Sequence, residues 1–142
     1  MNRLLWTCPK CRHAFVTRNL WHSCVRIPVR SHFRGSAASL YPVYRAWAAL
    51  ARGCGPVTIY AQKTRIVFQA RVRFAGVTVR ARHIHTHLWL RRRVEHPRLV
   101  RMESFGRLGY GAHFRLERPQ DIDADLASLM REAYDLARTG PH

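Results

Sequence analysis

The chain has 142 residues, 47% of them hydrophobic, enough for one core of ordinary size and too short for a series of large domains. No stretch approaches the roughly eighteen consecutive apolar residues of a membrane span, so no membrane partner is expected. The net charge is +17 and unevenly placed: residues 1–94 carry eighteen Lys and Arg and no Asp or Glu, while residues 95–142 hold all eight acids against seven Arg.

A codon bias would account for twenty-three Arg against two Lys, but it does not remove carboxylates from ninety-four consecutive residues. A polyanion explains both, because phosphate contacts are made by Lys and Arg and weakened by neighbouring acids. Nucleic acid, DNA or RNA, is therefore the expected partner. The alternative is a basic surface that is merely solvated.

In chain order, the first feature is C-x2-C-x10-H-x-C, formed by Cys8, Cys11, His22 and Cys24. Zinc takes four tetrahedral N/S ligands at roughly 2.0–2.3 Å, and a C-x2-C turn offers two thiolates from one knuckle. A disulfide is the rival, but Met1 to Trp6 shows no secretory signal, and a cytoplasmic chain keeps its thiols reduced. His13 is a competing nitrogen ligand that would leave Cys24 unused. His22 and Cys24 stand one residue apart, and on a helix they would point about 200° apart, so they belong to an extended or turned segment. Residues 1–27 are thus expected to be a structural zinc knuckle rather than a finger with a major-groove helix.

Residues 28–39 read as a connector with one helical turn near Arg30 to Phe33. Leu40, Val43, Tyr44, Trp47, Leu50 and Ala51 then recur at helical spacing, predicting an amphipathic helix from Leu40 to Arg52, with Ser39 as N-cap and Gly53 and Gly55 as stops. From Val57 the period changes to two. Six strands are predicted: Val57 to Tyr60, Arg65 to Ala70, Arg71 to Arg80, His83 to Arg91, Leu99 to Ser104, and Ala112 to Glu117. The second and third could be one strand bent near Gly76. A last helix is predicted from Pro119 to Ala137, with Pro119 at N1 and Asp121 and Asp123 at its positive end. The fold class is α+β: residues 40–142 form a two-layer domain, a mainly antiparallel sheet of about six strands with both helices on one face.

Alternation places Ile66, Phe68, Val72, Phe74, Ile84, Leu88 and Leu90 beneath the helices. Arg65, Gln69, Arg71, Arg73, Arg80, Arg82, His83, His85, His87, Trp89 and Arg91 fall on the other face, with one register change allowed at Gly76. The candidate nucleic-acid contacts are Arg65, Arg71, Arg73, Arg80, Arg82, Arg91 and the stacking ring of Trp89. A second metal site at His83, His85 and His87 is disfavoured, because ligating imidazoles need an orienting carboxylate and no acid precedes Glu95. Cys54 has no evident base partner, and no catalytic motif is present. The alternative function is a small-molecule or enzymatic pocket using Glu95, His96, Glu103 and His113; a protein-interaction module is the third.

Trp6 to Cys11, His22 to Cys24, Thr64 to Gln69, Arg93 to Arg98 and His113 to Leu116 together resemble a bacterial family that pairs a Cys-Cys-His-Cys knuckle with a domain of unknown function. The resemblance implies zinc on the four ligands named above and carries no activity. Similar domains are fused to nuclease-like modules, which favours nucleic acid. The helix, six strands, helix order also looks like the frataxin and iron-chaperone arrangement, whose iron ligands are acids on the first helix. Leu40 to Arg52 has none, so that likeness implies fold and not iron.

Overall fold

The computed structural model describes residues 5–9, 12, 14–15 and 27–139. Two short strands near the start, β1 (Trp6–Thr7) and β2 (Ala14–Phe15), pair antiparallel. Ile27 bridges Ala61, and a 3-10 turn at Val29–Phe33 follows, in the place predicted for one helical turn. Phe33 packs against Tyr41 and Tyr44 at ring separations of 5.0 and 5.5 Å, so this segment is docked on the domain.

Helix α1 (Leu40–Cys54) buries Leu40, Val43, Tyr44, Trp47 and Ala51 of the predicted stripe, with Ala48 buried beside them and Leu50 only partly covered. Ser39 stands at the N-cap position with helical dihedrals and makes no side-chain cap. Gly53 lies inside the helix, and Gly55, at φ 149°, ends it.

Six strands follow: β3 (Thr58–Ala61), β4 (Ile66–Gln69), β5 (Arg73–Val79), β6 (Ile84–Leu90), β7 (Leu99–Ser104) and β8 (Tyr110–Leu116). They form one antiparallel sheet in the order β3-β4-β5-β6-β8-β7. β4 and β5 are separate strands joined by a turn in which the Ala70 N–H donates to the Val72 carbonyl. The register change falls at Phe74, not Gly76: Gln69 pairs with Arg73 but Phe68 with Ala75, leaving Phe74 as the extra residue of a bulge. Both Phe74 and Ala75 are buried in the core as a result.

The last helix, α2 (Ala124–Thr139), starts five residues after Pro119, which opens a separate 3-10 turn at Pro119–Asp121. Two aspartates divide the work. Asp121 accepts the N–H groups of Glu117 and Arg118 at 2.8 and 3.2 Å and pairs with Arg98 at 2.9 Å, which folds the chain back before the helix. Asp123 accepts the Leu126 N–H at 2.8 Å and is the true cap.

Both helices pack on one face of the sheet, α2 over β5 and β6 and α1 beside it. Ile66, Phe68, Val77, Ile84, Leu88, Phe114 and Leu116 point into that interface and have no solvent exposure. No helix among the described residues is long and apolar enough to cross a membrane.

Candidate anion-binding face

The strand register fixes which residues share the opposite face. Across the sheet run Val67, Gly76, His87, His113 and Arg101 in one row; Thr78, His85 and Arg115 in the next; and Trp89, Gly111 and Glu103 on the other side. The glycines make room for rings. A methyl group on Gly76 would overlap His87, and one on Gly111 would press against Phe105 and His113.

Three of these side chains form a chain of hydrogen bonds. His85 Nε2 lies 2.8 Å from His113 Nδ1, and His113 Nε2 lies 3.1 Å from Glu103 Oε1. With Glu103 ionised, His113 donates to it from Nε2 and accepts from His85 at Nδ1, which leaves Nδ1 of His85 as the free end. Burial, then His113 and the guanidiniums of Arg101 and Arg80, lower the His85 pKa. His87 is pushed down to about 3 by burial first, then by His113 and Arg65. His85 and His87 are therefore held toward their neutral forms, and arginine supplies positive charge to this face.

Arg65, just before β4, and Arg73, at the start of β5, lie toward opposite ends of that strand pair and line one hollow. Burial and the neighbouring Arg73 charge both lower the Arg65 pKa, and Arg73 Nε donates to Tyr60 Oη at 2.7 Å. The hollow, of about 310 Å³, is walled by these two guanidiniums, His87, Trp89, Phe105 and Leu108. The connection from β7 to β8 roofs its far side. Trp89 Nε1 donates to the Leu108 carbonyl at 2.5 Å, and Gly109, at φ 108°, makes a turn where any Cβ would strike the Leu90 carbonyl.

The residues singled out from the sequence are distributed unevenly. Arg65 and Arg73 both line the hollow; Arg80 neighbours His83 and His85; Arg82 is exposed in the β5–β6 turn. Arg91 lies over Trp89 at 5.4 Å. Arg71 is elsewhere, lining a cleft with Pro56, Tyr134 and Arg138. Trp89 is 6% exposed beneath the roof, so its ring is a wall and not a stacking platform. Arg101 and Arg115 also belong to the face and were not selected by alternation. An irregularity at Val100 hides Arg101, and Arg115 emerges only once β8 is placed beside β6.

The second pocket expected, from Glu95, His96, Glu103 and His113, divides. Glu103 and His113 meet on the open face. His96 is buried on the helix side, where Nδ1 accepts the Arg98 N–H at 3.0 Å and Nε2 donates to Asp123 Oδ1 at 2.9 Å. Glu95 is exposed beside Arg92 and Arg93. The Cys54 thiol donates to the Leu50 carbonyl, and burial raises its pKa, which disfavours a thiolate. No group of three His, Cys, Asp or Glu among the described residues has the geometry to hold a metal ion.

Of the expected zinc ligands, Cys8 is described. It is buried just after β1, in a turn where the Arg12 N–H donates to the Cys8 carbonyl at 2.9 Å with Arg12 at φ 68°. Cys11, His22 and Cys24, like the rival ligand His13, lie outside the described residues.

No curated protein and no solved structure matches the chain. A family profile for a domain of unknown function (DUF5655) matches residues 29–137, a span that takes in the 3-10 turn before α1, the whole sheet and most of α2. By that match over most of its length, the chain belongs to the DUF5655 family.

Proposed function

We propose that the open sheet face binds the phosphates of nucleic acid, and that the protein is a zinc-containing cytoplasmic accessory protein without catalytic activity. One observation carries this proposal. Arg65, Arg73, Arg80, Arg101 and Arg115 surround His85, His87 and His113 on one face, and the carboxylates described there are already engaged, Glu103 by His113 and Glu117 by Arg115. A face with that balance attracts a polyanion, and its arginines can each take two phosphate oxygens. A protein-interaction surface would call for apolar residues across the sheet, where this one has arginine and histidine.

If four to eight phosphates are neutralised, log K should fall against log salt with a slope of roughly −3 to −7. A flat salt dependence, or no binding at about 50 mM salt, rejects the proposal. Zinc on Cys8, Cys11, His22 and Cys24 is the second part of it, supported by the buried Cys8 thiol and its turn. Cys8→Ser should release one equivalent of zinc, about one metal per chain, and lower the melting temperature; a metal-free wild-type protein that melts unchanged after chelator treatment contradicts it.

A further inference from the structure

The hollow beside Arg65 and Arg73 has features that a general phosphate-binding surface does not require. We propose that it takes one unpaired nucleotide of a single strand, with the phosphate between Arg65 and Arg73 and the base against Phe105 and Leu108. The inference rests on the nucleic-acid reading above and narrows it to single strands.

Charge supplies the first argument. Arg65 and Arg73 line the same hollow, the Arg73 charge weighs against that of Arg65, and no Asp or Glu is among the described residues lining it. An anion placed between two such guanidiniums is attracted by both and relieves their repulsion. Apolar surface supplies the second. Phe105 and Leu108 are 46% and 49% exposed, among the few large apolar side chains left so open. They are not loosely hung: the Trp89–Leu108 hydrogen bond holds the loop, and the Phe105 ring packs over Gly111. An apolar wall lining the same hollow as two arginines matches the two halves of a nucleotide, a flat ring and a phosphate.

Size and the floor of the site complete the case. About 310 Å³ is at the small end for ligand pockets, room for one nucleotide and not for a folded partner. A duplex keeps its bases stacked inside, so it could reach the rim arginines but leave the hollow empty. At the floor, His87 offers one donor and one acceptor nitrogen, with no hydrogen-bond partner among the described residues. Those nitrogens are available to the edge of a base.

The test uses the full chain, zinc-loaded, and fluorescence anisotropy at fixed low salt with a labelled mixed-sequence single strand and its duplex. The single strand should bind at least about tenfold more tightly, the scale of losing one stacked base. Phe105→Ala and Leu108→Ser, both at exposed positions, should remove that preference while Arg45→Ala, exposed on α1, keeps it. Melting curves confirm that each variant folds. Equal affinity for strand and duplex, or a preference that survives Phe105→Ala and Leu108→Ser together, overturns the inference and leaves salt-dependent phosphate binding standing. If neither nucleic acid binds, both readings fall. In a parallel titration the His87 ring proton resonances should move with single strand and stay with duplex; the reverse result also overturns the inference.

Discussion

The two faces of the sheet are made by the same strands and obey opposite rules. On the helix side, Ile66, Phe68, Val77, Ile84, Leu88, Phe114 and Leu116 are fully buried against α1 and α2. One residue away along each strand, the other side carries Gly76, His85, His87, Gly111, His113 and arginine. Strand alternation thus puts the apolar core on one face, while the other holds glycine, imidazole and arginine around the buried Val67 and Trp89. Substitutions on the two faces should therefore separate stability from binding.

The largest effect is expected from Phe114→Ala, which removes a fully buried ring from the helix side. It should cost about 3–5 kcal/mol in denaturant unfolding. Arg101→Ala, exposed on β7 and on the opposite face, should cost about 0.5 kcal/mol or less and act on binding instead. Similar losses from the two would mean that the open face is part of the core, and the contrast would fail.

Asp121→Asn comes next. Burial would raise the pKa of this carboxyl, but the N–H groups of Glu117 and Arg118 and the guanidiniums of Arg98 and Arg118 outweigh it and hold it below the usual range. Removing the charge should cost about 1.5–3 kcal/mol, as for hydrogen bonds to an ionised group. A folded pKa held below the unfolded one gives stability that is present above the unfolded value and lost as pH falls through the folded one. Acid unfolding of the wild type should therefore contain a step that Asp121→Asn lacks, while nucleic-acid affinity at neutral pH is unchanged.

Fold was the more legible part of the sequence, because it depends on local period. The stripe of Leu40, Val43, Tyr44, Trp47 and Ala51 marks a helix whatever it packs on, and alternation from Thr58 to Leu116 marks strands to within about two residues at most ends. What alternation could not carry was anything that breaks it. The bulge at Phe74 moved the register change two residues before Gly76, and the irregularity at Val100 concealed Arg101. Pro119 and Asp121 look like a helix start, but Asp121 turns back to Glu117 and Arg118 and leaves the cap to Asp123. The site was less legible because its partners come from distant strands. His85 finds its carboxylate through His113, from Glu103, eighteen residues along the chain from His85. No spacing rule connects residues on β6, β8 and β7; only the β6-β8-β7 order does. Trp89 shows the converse, since a ring correctly placed on the open face was covered by a loop that the alternation did not describe.

The sharpest probe of the open face comes from titrating His87. Its pKa falls from the ordinary 6.5 to about 3, through burial and then the charges of His113, Arg65 and His85. Above pH 6.5 the ring is neutral in both the folded and unfolded chain and has no influence on the balance. As pH falls below that value the unfolded chain takes up a proton that the folded one refuses, so stability is lost progressively toward about pH 3. His83 and His85 are shifted in the same direction, so the wild-type curve alone cannot be assigned to one ring. The difference between wild type and His87→Gln can. Measured by denaturant unfolding at about pH 7.5 and pH 5, any advantage of the wild type should shrink or reverse at the lower pH. A bound phosphate chain adds negative charge beside the same ring and stabilises its protonated form, so binding should take up a proton and strengthen as pH falls. A binding constant independent of pH would place the phosphates away from His87, on the rim arginines alone.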